Sequence, residues 1–256
     1  MFKRAIVRPP SPNFADGLTA AALGAPDYKL ALRQHAAYCA ALVKCGLEVV
    51  ELAVDTRFPD STFVEDTAVI TPRCAVITRP GAASRAGETE AIRAALAQTF
   101  PQLHAIEAPG TVDGGDICEA DNHFLIGISE RTNEAGAQQL AAILRGVGHT
   151  ADFVDIRGAA GLLHLKSGLT YLGANHLVVW DALAQRTAFQ GYELIRVASG
   201  DEYAANCIRV NEYVLVAAGF PAFAATLRGL GYRLIELEMS EFQKMDGGLS
   251  CLSLRF

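Results

Sequence analysis

The chain has no surplus of positive charge: 22 Lys and Arg face 28 Asp and Glu, a formal charge of -6 at pH 7. Nucleic-acid binding rests on a basic field, so no nucleic acid is expected as a partner, whereas a small cationic ligand suits an acidic protein. No apolar run approaches the roughly 18 residues of a membrane span, and Met1 to Arg4 lead straight into a strand-like segment. No membrane association is expected, and the expected location is the cytoplasm. Paired C-x-x-C spacing is absent, so the six cysteines, at 39, 45, 74, 118, 207 and 251, are expected to be free thiols of a reducing compartment. Histidines in H-x-x-x-H or H-E-x-x-H spacing are absent too, and neither a P-loop nor a G-x-G-x-x-G fingerprint occurs. Neither a metal nor a cofactor is expected.

What is present is an ordinary globular composition, 51% apolar and 20% charged over 256 residues, read as a single catalytic domain spanning residues 1–256. Helical periodicity covers residues 27–45, 87–100, 133–144 and 222–230, with a Thr132-Asn133 cap signal before the third and Gly46 stopping the first. Strand-like runs fall at 5–7, 47–52, 68–71, 75–78, 123–126, 177–179, 214–217 and 233–237. Helices and strands therefore interleave. A polar loop recurs beside a short strand, and its markers Asp66, Asp116, His164, Asn206 and Cys251 lie 42 to 50 residues apart. Such spacing suggests repeated modules whose loops gather at a central site, although any α/β protein shows units of comparable length.

Cys251 follows Gly247-Gly248-Leu249-Ser250, where glycine lets the backbone approach a ligand closely, and a thiolate there can attack an electrophilic carbon. Taken alone it could equally be a buried structural thiol; the loop and the repeat favour chemistry. His164, flanked by leucines, reads alone as a core histidine, and its place in the repeat makes it the acid/base candidate. Asp60, Glu65, Asp66, Asp113 and Asp116 sit in two acidic loops that match the charge and fork geometry of a guanidinium, against the bland reading of solvated turn acids. Arg85 and Arg131, otherwise solvated arginines, become clamps for an α-carboxylate.

The segments F-P-D-S-T-F-V-E-D, R-P-G-A-A-S-R-A-G-E-T-E, A-P-G-T-V-D-G-G-D, H-L-K-S-G-L-T-Y-L, Y-A-A-N-C and D-G-G-L-S-C-L-S-L-R-F resemble the bacterial-type dimethylarginine dimethylaminohydrolases over essentially the whole chain. The resemblance implies the guanidino-group-modifying superfamily and its fold, an α/β five-bladed propeller of ββαβ modules with pseudo-fivefold symmetry. It implies Cys251 as nucleophile, His164 as general acid and then base, and Asp113 as the carboxylate orienting His164. Asp66 and Glu65 would meet the guanidinium, Arg85 and Arg131 the carboxylate, and Leu18, Met245 and Asp60 the α-amino end. The expected partner is a small molecule, a methylated arginine, and a homodimer is compatible with the reading. Bacterial relatives carry Glu where this chain has the shorter Asp113. An arginine deiminase, the nearest alternative, has a second aspartate where this chain has Lys166; an amidinotransferase or a non-catalytic binder of a cationic amino acid would share the scaffold.

Overall fold

Strands in this chain are short, and each needs a crossover to bring a parallel neighbour alongside. The computed structural model describes residues 1–256. The strands in order are β1 (Arg4–Val7), β2 (Glu48–Glu51), β3 (Ala68–Ile70), β4 (Ala75–Ile77), β5 (Leu103–Ala105), β6 (Ile117–Ala120), β7 (His123–Ile128) and β8 (Thr150–Asp155). There follow β9 (Leu169–Gly173), β10 (His176–Trp180), β11 (Glu193–Val197), β12 (Ile208–Val210), β13 (Tyr213–Ala217), β14 (Arg233–Leu237) and β15 (Leu254–Arg255). The α-helices are α1 (Tyr28–Lys44), α2 (Thr89–Leu96), α3 (Glu134–Gly146), α4 (Pro221–Gly229) and the single turn α5 (Ser240–Gln243).

These strands form five three-stranded sheets of one plan, in which a central strand pairs antiparallel on one side and parallel on the other. Two compact units hold them: Met1–Val64 with Asn206–Phe256, and Glu65–Ala205. In the first unit the chain ends share a sheet, β15 running antiparallel to β1 (Ala5 opposite Arg255) and β2 parallel to it (Ala5 opposite Val49). The crossover helix α1 starts at an Asp27 side chain that accepts from the Leu30 N–H, and it ends before Gly46, whose φ of +91° only glycine adopts freely. Its buried face carries Ala31, His35, Tyr38 and Leu42. The second sheet of this unit, β12–β13–β14, is closed by α4, which opens on Pro221.

The second unit contains three such sheets. Its central strand β7 is buried on both faces, as the period of a strand dictates: Phe124 and Ile126 join one apolar cluster with Val76 and Leu140, while Leu125 joins another with Leu165, Val179 and Phe189. The expected helices match α1 to α4 within a few residues, and the Asn133 cap is present, accepting from the Gly136 N–H. One module departs from the ββαβ plan: between β10 and β11 the crossover is two 3-10 turns, Asp181–Leu183 and Thr187–Phe189. Leu183 and Phe189 are buried there and supply the apolar cover that a helix supplies elsewhere.

Every polar loop marked in the sequence lies at a 3-10 turn that leads into the first strand of a sheet. The turns are Val64–Thr67 before β3, Gly114–Asp116 before β6, Leu165–Ser167 before β9, Glu202–Ala205 before β12 and Ser250–Leu252 before β15. The repeated unit is thus turn, strand, strand, crossover, strand.

Candidate active site

In the second unit, three of these turns bring charged side chains together. His164 is the residue before the turn Leu165–Ser167, held extended at φ -131°, and its Nε2 lies 3.1 Å from Asp113 Oδ2. Asp113 occupies the same position before its own turn and is fully buried; its Oδ1 accepts from the Gly81 N–H at 2.8 Å. Arg131, half-buried, approaches Asp113 Oδ2 to 3.8 Å. Asp66 accepts from Arg85 Nη1 at 2.5 Å through one oxygen and from the Gly115 N–H at 2.8 Å through the other. Glu65, beside it, pairs with Lys166 at 2.6 Å.

Gly115 is required here by space. A Cβ on it would lie 2.7 Å from His164 Nδ1 and 2.9 Å from Asp66 Oδ1, closer than real Cβ contacts allow. Asp116 supports the same ring from behind: it accepts from the Leu165 N–H at 2.9 Å and from Ser129 Oγ at 2.7 Å, tying the turn that carries His164 to the end of β7.

Burial alone would strip the proton from His164, but the carboxylates of Asp66, Asp116 and Asp113 outweigh it and raise the imidazole from its usual 6.5 to about 9. Burial likewise opposes ionisation of Asp66, yet His164 and Arg85 hold it down to about 2. For Asp116 burial prevails, and its carboxyl is raised above the usual range. The Arg85 guanidinium, desolvated but facing Asp66 and Glu88, is held charged. The ring is a proton donor at neutral pH.

Asp66, Asp113 and His164 each offer an atom within 4.8 Å of the others, a spacing a metal could also use. Their oxygens already accept from the Arg85 guanidinium and from the backbone N–H groups of Gly115 and Gly81, which a cation would have to displace. The arrangement suits proton transfer and binding of a cation with its own N–H donors.

In the first unit the thiol is placed by backbone. Cys251 is the middle residue of the turn Ser250–Leu252; the Gly248 N–H points at its sulfur at 3.4 Å, and Ser250 Oγ lies 3.9 Å away. Such donors favour negative charge on sulfur. Asn206 clamps the turn, accepting from the Ser250 N–H at 2.9 Å and donating to Ser250 Oγ at 3.1 Å. Close packing demands both glycines: a Cβ at Gly247 would meet the Phe63 ring at 2.2 Å, and one at Gly248 the Asn206 amide at 2.5 Å.

The same unit gathers Leu18, Asp60 and Met245. The Leu18 N–H donates to both Asp60 oxygens at 3.0 and 3.2 Å, and a Cβ on Gly17 would lie 2.4 Å from Asp60 Oδ1 and 3.2 Å from Met245 Cε. The exposed loop carrying Leu18 is tied to the Met245 segment, Thr19 Oγ1 donating to the Lys244 carbonyl at 2.9 Å and the Ala20 N–H to Asp246 at 2.5 Å.

The residues expected from the sequence therefore fall into two sets. Glu65, Asp66, Arg85, Asp113, Arg131 and His164 form one, and Leu18, Asp60 and Met245 stand with Cys251 in the other unit. Arg85 differs from a free clamp: it is 4% exposed and bonds both Asp66 and Glu88, so a substrate carboxylate would share it. Asp116, read in the sequence among the acids for a guanidinium, instead bonds the Leu165 N–H and Ser129 Oγ, while Asn206 was only a repeat marker and nothing flagged Gly115 beyond its place in T-V-D-G-G-D.

The arginine deiminase family model matches residues 56–218. A dimethylarginine dimethylaminohydrolase of Pseudomonas aeruginosa is 48% identical over 100% of both chains, and one of Streptomyces coelicolor is 35% identical over 99% of this chain and 96% of its own. The structure of a cysteine-to-serine mutant of the Pseudomonas enzyme complexed with citrulline superposes with a TM-score of 0.97 at 47% identity over 100% of both chains. That likeness and the five sheets of one plan make the fold class the five-bladed α/β propeller. By identity of this order over its full length, the chain belongs to the dimethylarginine dimethylaminohydrolase family.

Proposed function

We propose that the protein hydrolyses Nω-methylated arginines, asymmetric dimethylarginine and monomethylarginine, to citrulline with release of dimethylamine or methylamine. The observation that carries this reading is the buried imidazole of His164, held protonated by three carboxylates and hydrogen-bonded by Asp113. An amine is a poor leaving group unless it is protonated as it departs, and a histidine still charged near pH 7 supplies that proton.

In this reading the Cys251 thiolate attacks the central guanidinium carbon, and the tetrahedral adduct collapses by breaking the bond to the methylated nitrogen, which takes a proton from His164. A covalent thiouronium remains on Cys251. His164, now neutral, removes a proton from a water molecule that attacks the same carbon, and expulsion of the thiolate yields citrulline. With Nε2 bonded to Asp113, the mobile proton sits on Nδ1. Asp66 meets the guanidinium, Arg131 with a shared Arg85 meets the substrate carboxylate, and Asp60 with the backbone carbonyls of Leu18 and Met245 holds the α-amino group. No cofactor takes part. The reading takes residues 1–256 as a single catalytic domain.

The arginine deiminase reading is disfavoured by one contact. Lys166 stands where a second acid would grip an unmethylated guanidinium, and its Nζ lies 2.6 Å from Glu65, neutralising an acid the pocket would otherwise offer. Each substrate donor left unsatisfied costs roughly 1 to 3 kcal/mol, or about one to two powers of ten in specificity. The purified enzyme is expected to turn over the two methylated arginines at least about tenfold more efficiently than arginine by kcat/KM, with citrulline and the amine followed together. Preferential release of ammonia from arginine would select the deiminase, and absence of citrulline from all three would remove the hydrolase. The reading also keeps a cytoplasmic location and a homodimer as its setting, which fractionation and sedimentation would check.

A further inference from the structure

The crossover from β1 to β2 brings together three residues that the hydrolysis does not use. His35 and Cys39 are four apart on α1 and so share a face; Glu51 is the last residue of β2. An imidazole nitrogen, the thiol sulfur and a carboxylate oxygen of these residues lie within 4.8 Å of one another. His35 Nδ1 is 3.7 Å from Cys39 Sγ. Bonds of about 2.1 and 2.3 Å to a tetrahedral zinc would put a histidine nitrogen and a thiolate sulfur about 3.6 Å apart.

A buried histidine is ordinarily hydrogen-bonded through both nitrogens. His35 is 2% exposed, with its Nδ1 hydrogen-bonded with the Cys39 thiol and its Nε2 without a hydrogen-bond partner. Neutral imidazole is the form that ligates a metal. A dication would take the sulfur as thiolate and neutralise Glu51.

We propose that His35, Cys39 and Glu51 form a site for one borderline-soft divalent cation, zinc being the first candidate, that staples α1 to β2 within the first unit. Nitrogen and sulfur donors exclude magnesium and calcium, which take oxygen ligands. Half-buried Cys39 and exposed Glu51 give the ion its path from solvent. The pattern escapes a search for histidine pairs because its local half is H-x-x-x-C and its carboxylate arrives across the crossover.

The test is zinc binding to the full-length protein by equilibrium dialysis, with Cys251→Ser as a control because Cys251 and His164 also offer thiol and imidazole. Cys251→Ser is expected to retain one tight equivalent. Cys39→Ser should weaken it at least about a hundredfold and Glu51→Gln at least about tenfold, the scale on which even supporting residues of metal sites act. Zinc should raise the Tm of the parent protein and of Cys251→Ser, and raise that of Glu51→Gln less. Glu51 is on the surface, so its variant carries the test should Cys39→Ser fail to fold. Loss of the tight equivalent in Cys251→Ser, or affinity in Glu51→Gln within threefold of the parent, would overturn the proposal.

Discussion

The two units prepare their reactive groups by opposite means. Around His164 the second unit concentrates full charges out of water: Asp66, Asp113 and Asp116 are each at most 3% exposed, balanced by Arg85 and by the ring itself. Around Cys251 the first unit presents backbone N–H groups, an asparagine amide and two glycines too crowded to bear a Cβ, with Arg255 as a nearby cation that donates to the Ser250 carbonyl at 3.3 Å. The acid depends on electrostatics, which act across several ångströms; the nucleophile depends on shape, which fails with the first misplaced atom. Loss of charge in the second unit should therefore move pH profiles, whereas loss of shape in the first should lower rates at every pH.

The largest break comes from removing either reactive group. Cys251→Ser and His164→Gln are each expected to lower kcat by at least about a thousandfold while circular dichroism stays near that of the parent, and the double variant should be little worse than either single one, since the two act as a unit. Asp113→Asn ranks next. It keeps the shape but removes the charge that holds His164 Nε2, so kcat should fall by about two to four powers of ten, and the alkaline limb of the pH profile, set near 9 by the raised imidazole, should move toward neutrality. An unmoved limb would mean that Asp113 only packs.

Asn206→Ala probes the other side. It frees the turn Ser250–Leu252 without touching a charge, and should lower kcat by about one to two powers of ten with an unshifted pH profile. Gly115→Ala, which drives a methyl between His164 and Asp66, should combine a rate loss with destabilisation of about 1 to 3 kcal/mol.

The smallest effect is on stability. His164 has a folded-state pKa raised from 6.5 to about 9, so its contribution is fully present below about 6.5 and is lost as pH rises through about 9. Denaturant unfolding between those limits should show stability falling with pH more steeply in the parent than in His164→Gln; equal slopes would remove the raised pKa.

Much of this was legible in the sequence, for stated physical reasons. Helices with a period, a cap and a stop, such as α1 with Asp27 and Gly46, announce themselves locally. Central strands buried on both faces, such as β7, read as apolar runs. The outer strands β5, β8 and β11 escaped because they are half-exposed and carry His, Asp, Glu or Arg, β6, β9 and β12 because they are short and lie just after a polar turn, and β15 because two residues hold no pattern. Cys251 and His164 showed through a glycine loop and a repeat interval. Asn206 acts through Ser250, 44 positions away, and Gly115 through a ring 49 positions away, so neither has a local signature. The His35 and Cys39 pairing was in view along one helix, but Glu51 gives it meaning only once β2 is docked on β1.

The central claim, covalent hydrolysis of a methylated arginine on Cys251, is tested most directly by acid-quenching the enzyme during turnover of asymmetric dimethylarginine and mapping the adduct by mass spectrometry. The account predicts the mass of the substrate less dimethylamine on the tryptic peptide 245–255, located on Cys251 and absent from Cys251→Ser. The same mass on Cys118 or Cys207, or citrulline formed by Cys251→Ser at the parent rate, would contradict it.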